Sequence, residues 1–257
     1  MKRVFALALA VLMVMSVFAG CGKKSDDNEL NLVEPGKLIM STNAAFPPYE
    51  MTDDNGKFIG IDVEVAEAIA KKLGLELEID NMEFTAALEA AQKGKADMVM
   101  AGVTVDPDRQ MVMDFSDSYA KGVQVVIIPE NSEIKSLDDL EGKKIGTQMG
   151  TTGYIYCGDD YGEDNVVAYD NGITAVQALL NNQIDCIVID NAPAQAFVKE
   201  NPGLKILDTE YAVEDYAIGF AKGNTALKEA VNKALAELIA DGTVQKIVDK
   251  YIPAEQK

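Results

Sequence analysis

One arginine stands out among the residues that can bind a charged ligand. The chain contains two arginines; Arg3 lies in the basic N-terminal start, and beyond it every basic residue except Arg109 is a lysine. The planar guanidinium of arginine can hold a carboxylate through two parallel hydrogen bonds, whereas lysine carries a single ammonium group. Arg109 is therefore a candidate carboxylate-binding residue, the alternative being a surface ion pair with Asp106 or Asp108.

Two further positions, Thr152 and Asp190, could interact with a charged group of a ligand. Thr152 opens a predicted helix after Gly150, and the unpaired N–H groups and dipole of a helix N-terminus favour an anion. Asp190 ends an apolar run, immediately before a predicted helix that begins near Asn191. One interpretation of Asp190 is an N-cap of that helix, which is compatible with a second role in binding.

The composition excludes several functions. The chain of 257 residues has no histidine, which removes Ser-His-Asp triads and histidine metal sites. The three cysteines lack C-x-x-C spacing, and the acidic pairs near Asp159 and Glu163 lack the spacing of a calcium loop, so we predict no metal and no cofactor. A net charge of −19 repels phosphate backbones and argues against nucleic-acid binding.

The N-terminus has the pattern of a secretory signal peptide over residues 1–20, a basic start followed by an apolar core. The apolar stretch is shorter than the ~20 residues of a spanning helix. Phe18-Ala19-Gly20-Cys21 resembles a bacterial lipobox, which implies that Cys21 is lipidated and becomes the new N-terminus. The alternatives are an ordinary signal peptide and an uncleaved anchor. Residues 21–35 are predicted to form a flexible tether.

The elements that must position these residues alternate between strands and helices, which indicates an α/β fold with largely parallel, covered sheets. Strands are predicted at Lys37–Ser41, Leu75–Ile79, Ala96–Ala101, Lys144–Thr147, Val166–Ala168 and Ile184–Ile189. Helices are predicted at Ile61–Leu73, Thr85–Lys93, from Thr151, and at Ile173–Asn181, Thr225–Ala240 and Val244–Tyr251.

Two segments resemble each other. Residues 86–102 and 174–190 both predict a helix, a polar turn with an aspartate, and an apolar strand that ends at Gly102 or Asp190. The alternative is chance, because short helix–turn–strand patterns recur. If the repeat is real, the chain has two similar lobes. Ligands bind beyond the carboxyl ends of parallel strands, so Gly102 and Asp190 would then face each other across one cleft.

A family resemblance joins these observations. From about Lys37 to Tyr251 the chain resembles family 3 of the bacterial extracellular solute-binding proteins, which serve polar amino-acid ABC transporters. The motifs that carry the resemblance are Thr42-Asn43-Ala44-Ala45-Phe46-Pro47-Pro48-Tyr49-Glu50, Gly60-Ile61-Asp62-Val63-Glu64, Ala101-Gly102-Val103-Thr104 with Arg109, Asp114-Phe115-Ser116, Gly150-Thr151-Thr152-Gly153 and Ile189-Asp190.

The resemblance implies an α/β fold of two lobes, the periplasmic-binding-protein-like (type II) fold, with two hinge crossings. It places lobe 1 at residues 36–118 plus 217–257 and lobe 2 at 123–212. The hinges are expected at 119–122 and 213–216.

The resemblance also implies roles for site residues. Arg109 matches the residue that clamps the ligand carboxylate, and Thr104 and Thr152 match positions whose backbone N–H groups assist it, with Thr151 beside them. Asp190 matches the carboxylate that binds the ligand ammonium, helped by Gly102.

The side chain of the ligand would meet two aromatic rings and two amides. Phe46 and Phe84 match positions that stack on it, although either ring is also a plausible core residue. Asn43 and Gln148 are neutral, and an amide cannot neutralise a buried cation. We therefore expect a neutral polar amino acid such as glutamine, unless Glu83 or Glu214 supplies a charge.

The predicted protein is a non-enzymatic amino-acid-binding component of an ABC importer. Its partners would be a free amino acid and the permease and ATPase subunits, and it would act as a monomer. It would be lipid-anchored on the outer face of the cytoplasmic membrane, or on its periplasmic side in a Gram-negative cell. Two alternatives are a dehydratase-like enzyme on the same scaffold and an extracellular sensor module. Cys157 and Cys186 are expected to be free, buried thiols.

Overall fold

The computed structural model describes residues 30–252, so the predicted signal peptide, Cys21 and the first part of the predicted tether lie outside the described residues. The last part of that tether belongs to the folded body. Leu30 is buried in the core, and the Val33 N–H donates to Asp97 Oδ1 at 2.8 Å. The prediction of a tether over 21–35 therefore extends too far, because burial of Leu30 removes an apolar side chain from water.

Strands and helices alternate along the described chain. The strands are β1 (Lys37–Thr42), β2 (Ala45–Phe46), β3 (Glu50–Thr52), β4 (Phe58–Ile59), β5 (Glu76–Asn81), β6 (Met98–Val99), β7 (Met113–Phe115), β8 (Ala120–Pro129), β9 (Ile145–Gln148), β10 (Val166–Tyr169), β11 (Cys186–Asp190), β12 (Leu204–Ile206), β13 (Ala212–Tyr216) and β14 (Gly219–Ala221). The α-helices are α1 (Ile61–Leu73), α2 (Phe84–Gln92), α3 (Pro107–Val112), α4 (Thr152–Tyr161), α5 (Gly172–Leu180), α6 (Asn191–Glu200), α7 (Thr225–Ala240) and α8 (Thr243–Tyr251).

Helix α1 has the predicted bounds, and glycine sets both of them. Gly60 precedes the helix with φ 132°, and a Cβ there would lie 2.2 Å from the Tyr49 carbonyl oxygen. Gly74 ends the helix in the left-handed conformation, φ 73°, with its N–H bonded to carbonyls of the last turn. This is the usual glycine C-terminal cap, so no other residue would end the helix here as easily.

Two large sheets form the framework of a two-lobed α/β fold. The first has the strand order β5-β1-β6-β14-β7, in which β5, β1 and β6 are parallel and β14 runs antiparallel to both neighbours. The second has the order β10-β9-β11-β8-β12, with β13 also paired to β8; β10, β9 and β11 are parallel. The expectation of largely parallel sheets is therefore correct only for three strands of each sheet. One strand of each sheet, β14 in the first and β8 in the second, runs in the opposite direction, and all of its pairs are antiparallel.

The repeat expected from the sequence is present. In both sheets the first strand of a β-α-β-α-β unit lies in the middle, between two parallel partners. The two aspartates of the repeat also make equivalent contacts. Asp97 Oδ2 accepts a hydrogen bond from the Ile39 N–H at 2.7 Å, and Asp185 Oδ2 accepts one from the Lys144 N–H at 2.8 Å. Each aspartate therefore ties the turn before the third strand to the first strand.

The chain passes between the two sheets twice, from β7 to β8 and from β13 to β14. The two passages lie side by side. β8 and β13 pair antiparallel with Ala120 opposite Tyr216, and the Tyr119 N–H donates to the Tyr216 carbonyl at 3.0 Å. The Ile218 N–H donates to Ser116 Oγ at 2.9 Å. These hydrogen bonds make the two passages one narrow, double-stranded connection.

The helices cover the sheets on their apolar faces. Helices α1 and α2 pack on the first sheet, with α7 and α8 against α1, while α4, α5 and α6 pack on the second sheet. Cys157 and Cys186 are free thiols in the buried core of the second sheet. None of the helices between residues 30 and 252 combines the length and the hydropathy of a membrane-spanning segment.

Candidate functional site

A small cavity lies between the two sheets; the space between its walls, part of it open to solvent, is about 340 Å³. Every binding residue predicted from the sequence lines it, together with two that were not predicted, Glu50 and Ala101. The predicted lining residues are Asn43, Phe46, Phe84, Gly102, Thr104, Arg109, Gln148, Thr151, Thr152 and Asp190.

The carboxyl ends of the parallel strands in both sheets lie at this cavity. Asn43 follows β1 and Gly102 follows β6 in the first sheet, while Gln148 ends β9 and Asp190 ends β11 in the second. This is where ligands bind in open α/β sheets. The repeated topology therefore supplies one wall of the cavity from each sheet.

Arg109 lies in the short helix α3, whose N-terminus has favourable capping residues. Asp106 precedes α3, Pro107 is its first residue, and Asp106 Oδ1 accepts hydrogen bonds from the backbone N–H groups of Asp108 and Arg109. Aspartate at the N-cap and proline at the first helical position are both favoured there. The cap fixes the start of α3 and therefore the backbone position from which the Arg109 side chain extends.

The guanidinium of Arg109 is buried and tightly held. Its Nε lies 3.1 Å from Asp106 Oδ2, Nη1 donates to the Thr104 carbonyl at 2.8 Å, and Nη2 donates to the Gly150 carbonyl at 3.1 Å. The Phe84 ring lies 5.4 Å from its central carbon. Burial lowers the pKa of Arg109, although an arginine stays charged in proteins. Arg109 therefore does form the expected ion pair with Asp106, but its guanidinium faces the cavity and not the solvent.

The start of α4 lines the cavity from the second sheet, next to Gly150, whose carbonyl accepts a hydrogen bond from Arg109. Thr151 is the N-cap: its Oγ1 accepts from the Tyr154 N–H at 3.3 Å and its hydroxyl donates to the Gln148 carbonyl at 2.8 Å. Thr152 is the first helical residue and is buried at the cavity wall. The free N–H groups of this first turn therefore face the same space as Arg109.

Asp190 provides a carboxylate in the same cavity. It is 8% exposed; Oδ1 accepts from the Tyr216 hydroxyl, and Oδ2 accepts from Gln124 Nε2 at 2.9 Å. Asp190 stands at the N-cap position of α6, as predicted, but its side chain makes no capping hydrogen bond to that helix. The pKa of Asp190 is raised to about 7, mainly by burial; the hydrogen bond from Tyr216 opposes this rise, and the nearby Glu214 carboxylate adds to it.

A polar network behind Asp190 was not predicted. Gln124 Nε2 also donates to Glu214 Oε2 at 2.9 Å, and Glu214 Oε1 accepts from the Tyr156 hydroxyl at 2.9 Å. The sequence feature that could have indicated this network is Gln124, a single amide within the apolar run of β8. Of the two acids considered as a source of charge, Glu83 is exposed and Glu214 is buried in this network without lining the cavity.

Two amides join the sheets at the far side of the cavity. Gln148 Nε2 donates to Asn43 Oδ1 at 3.0 Å and to the Asp170 carbonyl at 3.2 Å, while Asn43 Nδ2 donates to the Met82 carbonyl at 2.8 Å. Both amides are buried. They give this part of the wall hydrogen-bonding capacity without a charge.

Phe46 lies in β2, which pairs with β3 and β4 in a small third sheet, and Phe84 begins α2; both are buried and both line the cavity. The Phe46 ring lies so close to Gly102 that a Cβ on that glycine would be 2.8 Å from the ring. Phe46 also stacks on Tyr49, with ring centroids 5.9 Å apart. The two phenylalanines therefore supply the apolar surface of the site while remaining part of the core.

Comparison with known proteins agrees with this geometry. A model of the bacterial extracellular solute-binding proteins, family 3, matches residues 38–254, and the chain belongs to this family. The resemblance drawn from the sequence motifs is therefore confirmed. Members of the family are solute-binding proteins.

Individual relatives are amino-acid-binding proteins. The chain is 33% identical to the probable histidine-binding protein of Neisseria gonorrhoeae, over 99% of this chain and 97% of that protein. It is also 33% identical to the L-cystine-binding protein TcyJ of Escherichia coli (strain K12), over 96% of each chain. A solved structure of an ancestral arginine-binding protein bound to glutamine is 42% identical, with a TM-score of 0.81 over 85% of this chain and 98% of that chain.

Proposed function

We propose that this protein binds a free amino acid in the cavity between its lobes and delivers it to the permease and ATPase subunits of an ABC importer. The observation that carries the proposal is the pairing of a buried cation, Arg109, with a buried carboxylate, Asp190, in one cavity. A zwitterion has one carboxylate and one ammonium, and this arrangement offers each of them an opposite charge. Family membership and amino-acid-binding relatives support the same conclusion.

The carboxylate end of the ligand would lie against Arg109 and the first turn of α4. The guanidinium has five N–H donors, and its hydrogen bonds to protein groups in the described structure use two of them, while its Nε forms an ion pair with Asp106. The helix N-terminus adds further N–H groups and a favourable dipole. The ammonium end would lie against Asp190 and the backbone around Gly102.

Capture would proceed by closure of the lobes about the paired passages. In this proposal lobe 1 is residues 36–118 plus 217–257, of which 253–257 lie outside the described residues, lobe 2 is residues 123–212, and the hinges are 119–122 and 213–216. A narrow double-stranded connection can bend while each lobe stays rigid. The ligand favours the closed state because it contacts both lobes, Arg109 on one and Asp190 on the other.

The preferred ligand in this proposal is a neutral polar amino acid, such as glutamine. The amides of Asn43 and Gln148 can hydrogen-bond a polar side chain but cannot neutralise a guanidinium or an ammonium. Glu50 is the additional acid in the wall. Its burial raises its pKa well above the ordinary value, so it faces the cavity as a neutral acid.

The protein would act as a monomeric, non-enzymatic carrier. Cys21 would be its lipid-attachment residue, holding it at the outer face of the cytoplasmic membrane or on the periplasmic side of a Gram-negative cell. Neither a dehydratase nor a sensor is favoured by a specific contact at the site, since Asp190 suits a ligand with a free ammonium.

A thermal-shift screen of the standard amino acids with cystine and ornithine tests the proposal. Binding to the native state alone stabilises it by RT ln(1 + L/Kd) at free ligand concentration L, so at equal concentration the tightest ligand raises the melting temperature most. We expect glutamine or another neutral polar amino acid to give the largest increase. Stabilisation by none of these compounds would refute amino-acid binding, and a largest shift with arginine or lysine would refute the neutral preference.

A further inference from the structure

A carboxyl group without a hydrogen-bond donor lies in the wall of the cavity. Glu50 is fully buried, and among residues 30–252 no N–H or O–H group donates to either of its oxygens. Asp62 on α1 is also fully buried and lies beside it: the Asp62 N–H donates to the carbonyl of Tyr49, the residue before Glu50, at 2.9 Å, and the neighbouring Asp62 carboxyl raises the pKa of Glu50. Two carboxylates cannot both be charged in such a place, so this contact is favourable only if one of them carries a proton.

The hydrogen bonds of Asp62 show which carboxyl holds the proton. Asp62 Oδ1 accepts from the Tyr119 hydroxyl at 2.7 Å, and Oδ2 accepts from the Gly102 N–H at 3.0 Å. Burial raises the pKa of Asp62 to about 6, with the two donors opposing the rise. Burial and the neighbouring Asp62 raise the pKa of Glu50 well above its ordinary value, and no donor in the described part of the chain opposes that rise. The proton therefore belongs to Glu50, which donates it to Asp62.

Asp62 connects the ligand cavity with the passage between the lobes. Gly102 lines the cavity with φ 55°, and Tyr119 stands at the start of the first passage. The Tyr119 N–H donates to the Tyr216 carbonyl, and the Tyr216 hydroxyl donates to Asp190. The Asp62 carboxylate thus binds both Gly102 in the cavity wall and Tyr119 at the start of the strand about which the lobes would close.

We propose that Glu50 and Asp62 share one proton and act as positioning residues, which hold Gly102 and Tyr119 in the places that amino-acid capture requires. The positioning role rests on the proposed function, whereas the shared proton does not. The titratable groups that face the pair within the described chain are Tyr49, Tyr119 and Asp190, and none of them supplies a positive charge. The proton is therefore what keeps the pair neutral.

Carboxyl ¹³C NMR of the ligand-free protein tests the shared proton. The Glu50 resonance is identified by its loss in Glu50→Gln. We expect the Glu50 carboxyl to be protonated at neutral pH and to ionise only in alkaline solution, with Asp62 ionising at a lower pH. A Glu50 resonance that is already ionised at neutral pH would overturn the proposal.

Two variants of similar size test the positioning role. In Glu50→Gln the amide N–H can still donate to Asp62, whereas Glu50→Leu removes the donor. By calorimetry with the most stabilising amino acid of the screen, we expect Glu50→Gln to stay within about threefold of the parent affinity and Glu50→Leu to lose about tenfold or more. The parent affinity should also fall in alkaline solution where Glu50 ionises, and Glu50→Gln should remove that fall.

These outcomes separate positioning from packing. Equal affinities for Glu50→Gln and Glu50→Leu, or an alkaline fall that survives in Glu50→Gln, would overturn the positioning role. If no amino acid binds the parent, the proposed function and the positioning role both fail. The NMR titration would still decide whether the proton is shared.

Discussion

Replacing Arg109 by lysine keeps the positive charge but removes the planar fork. In the structure the guanidinium reaches Asp106, Thr104 and Gly150 in three different directions. A lysine ammonium is a single point and cannot occupy all three positions. The side chains of Arg109 and Asp106 are only 10% and 16% exposed, so little solvent screens their contact. The substitution therefore affects both the ligand-free protein and the complex.

The magnitudes of the two effects differ. Loss of one hydrogen bond to a charged group lowers the free energy of unfolding by about 1.5–3 kcal/mol. In a chain of this size that is on the order of 3–12 °C in Tm. A ligand carboxylate left poorly paired in the closed cavity loses about 2–5 kcal/mol of binding free energy, roughly thirtyfold to several-thousandfold in Kd.

Asp106→Asn is the matched control. Asparagine remains a good N-cap, so α3 and the arginine fork are retained while the charged partner of Arg109 is removed. We expect this variant to lose stability, as Arg109→Lys does, but to bind the preferred amino acid within about fivefold of the parent, a difference below roughly 1 kcal/mol. Calorimetry for affinity and ligand-free thermal unfolding for stability measure the two effects separately.

Two results would refute the assignment of Arg109. If Arg109→Lys binds the best amino acid as tightly as the parent, the fork does not hold the carboxylate. If Arg109→Lys and Asp106→Asn weaken binding to the same extent, Arg109 acts by supporting the local structure and not by contacting the ligand.

Three further predictions concern pH, specificity and anchoring. Because the folded pKa of Asp190, about 7, lies above its ordinary value of 3.8, its protonation stabilises the ligand-free fold at acid pH, and this contribution is lost as the pH rises through 7. The ligand ammonium needs the ionised form, so calorimetric affinity should fall as the pH drops below about 7, and Asp190→Asn should bind weakly at every pH; an unchanged parent affinity across this range would contradict the assignment. Asn43→Asp should shift the order of affinities towards arginine and lysine, since a carboxylate then replaces a neutral amide in the wall, and an unchanged order in competition binding would show that Asn43 does not read the side chain. Cys21→Ala should release the protein from membranes or block its processing, and unchanged fractionation together with an unchanged N-terminal mass would exclude lipidation.

The sequence predicted those features that depend on local patterns. Helix α1 begins and ends beside glycines, and α7 has its predicted bounds, because caps and apolar spacing act within a few residues. Arg109 was identified from its rarity and from the fork that lysine lacks. The repeated segments predicted that Gly102 and Asp190 face one cleft, and the family resemblance assigned the other cavity residues.

Features that depend on distant contacts were missed. Gln148 and Asn43 are 105 residues apart in the chain, and their hydrogen bond exists only because the two lobes face each other. The buried contact between Gln124 and Glu214 spans 90 residues, and nothing in either local pattern reports it. The antiparallel insertion of β14 between β6 and β7 likewise follows from the return of the chain from the second sheet.

A crystal structure of the protein with its most stabilising amino acid tests the central claim most directly. The account predicts the α-carboxylate at the guanidinium of Arg109 and the N-terminus of α4, and the α-ammonium at Asp190, between closed lobes. A bound amino acid in the reverse orientation, or one that lies outside the cavity between the two sheets, would contradict it.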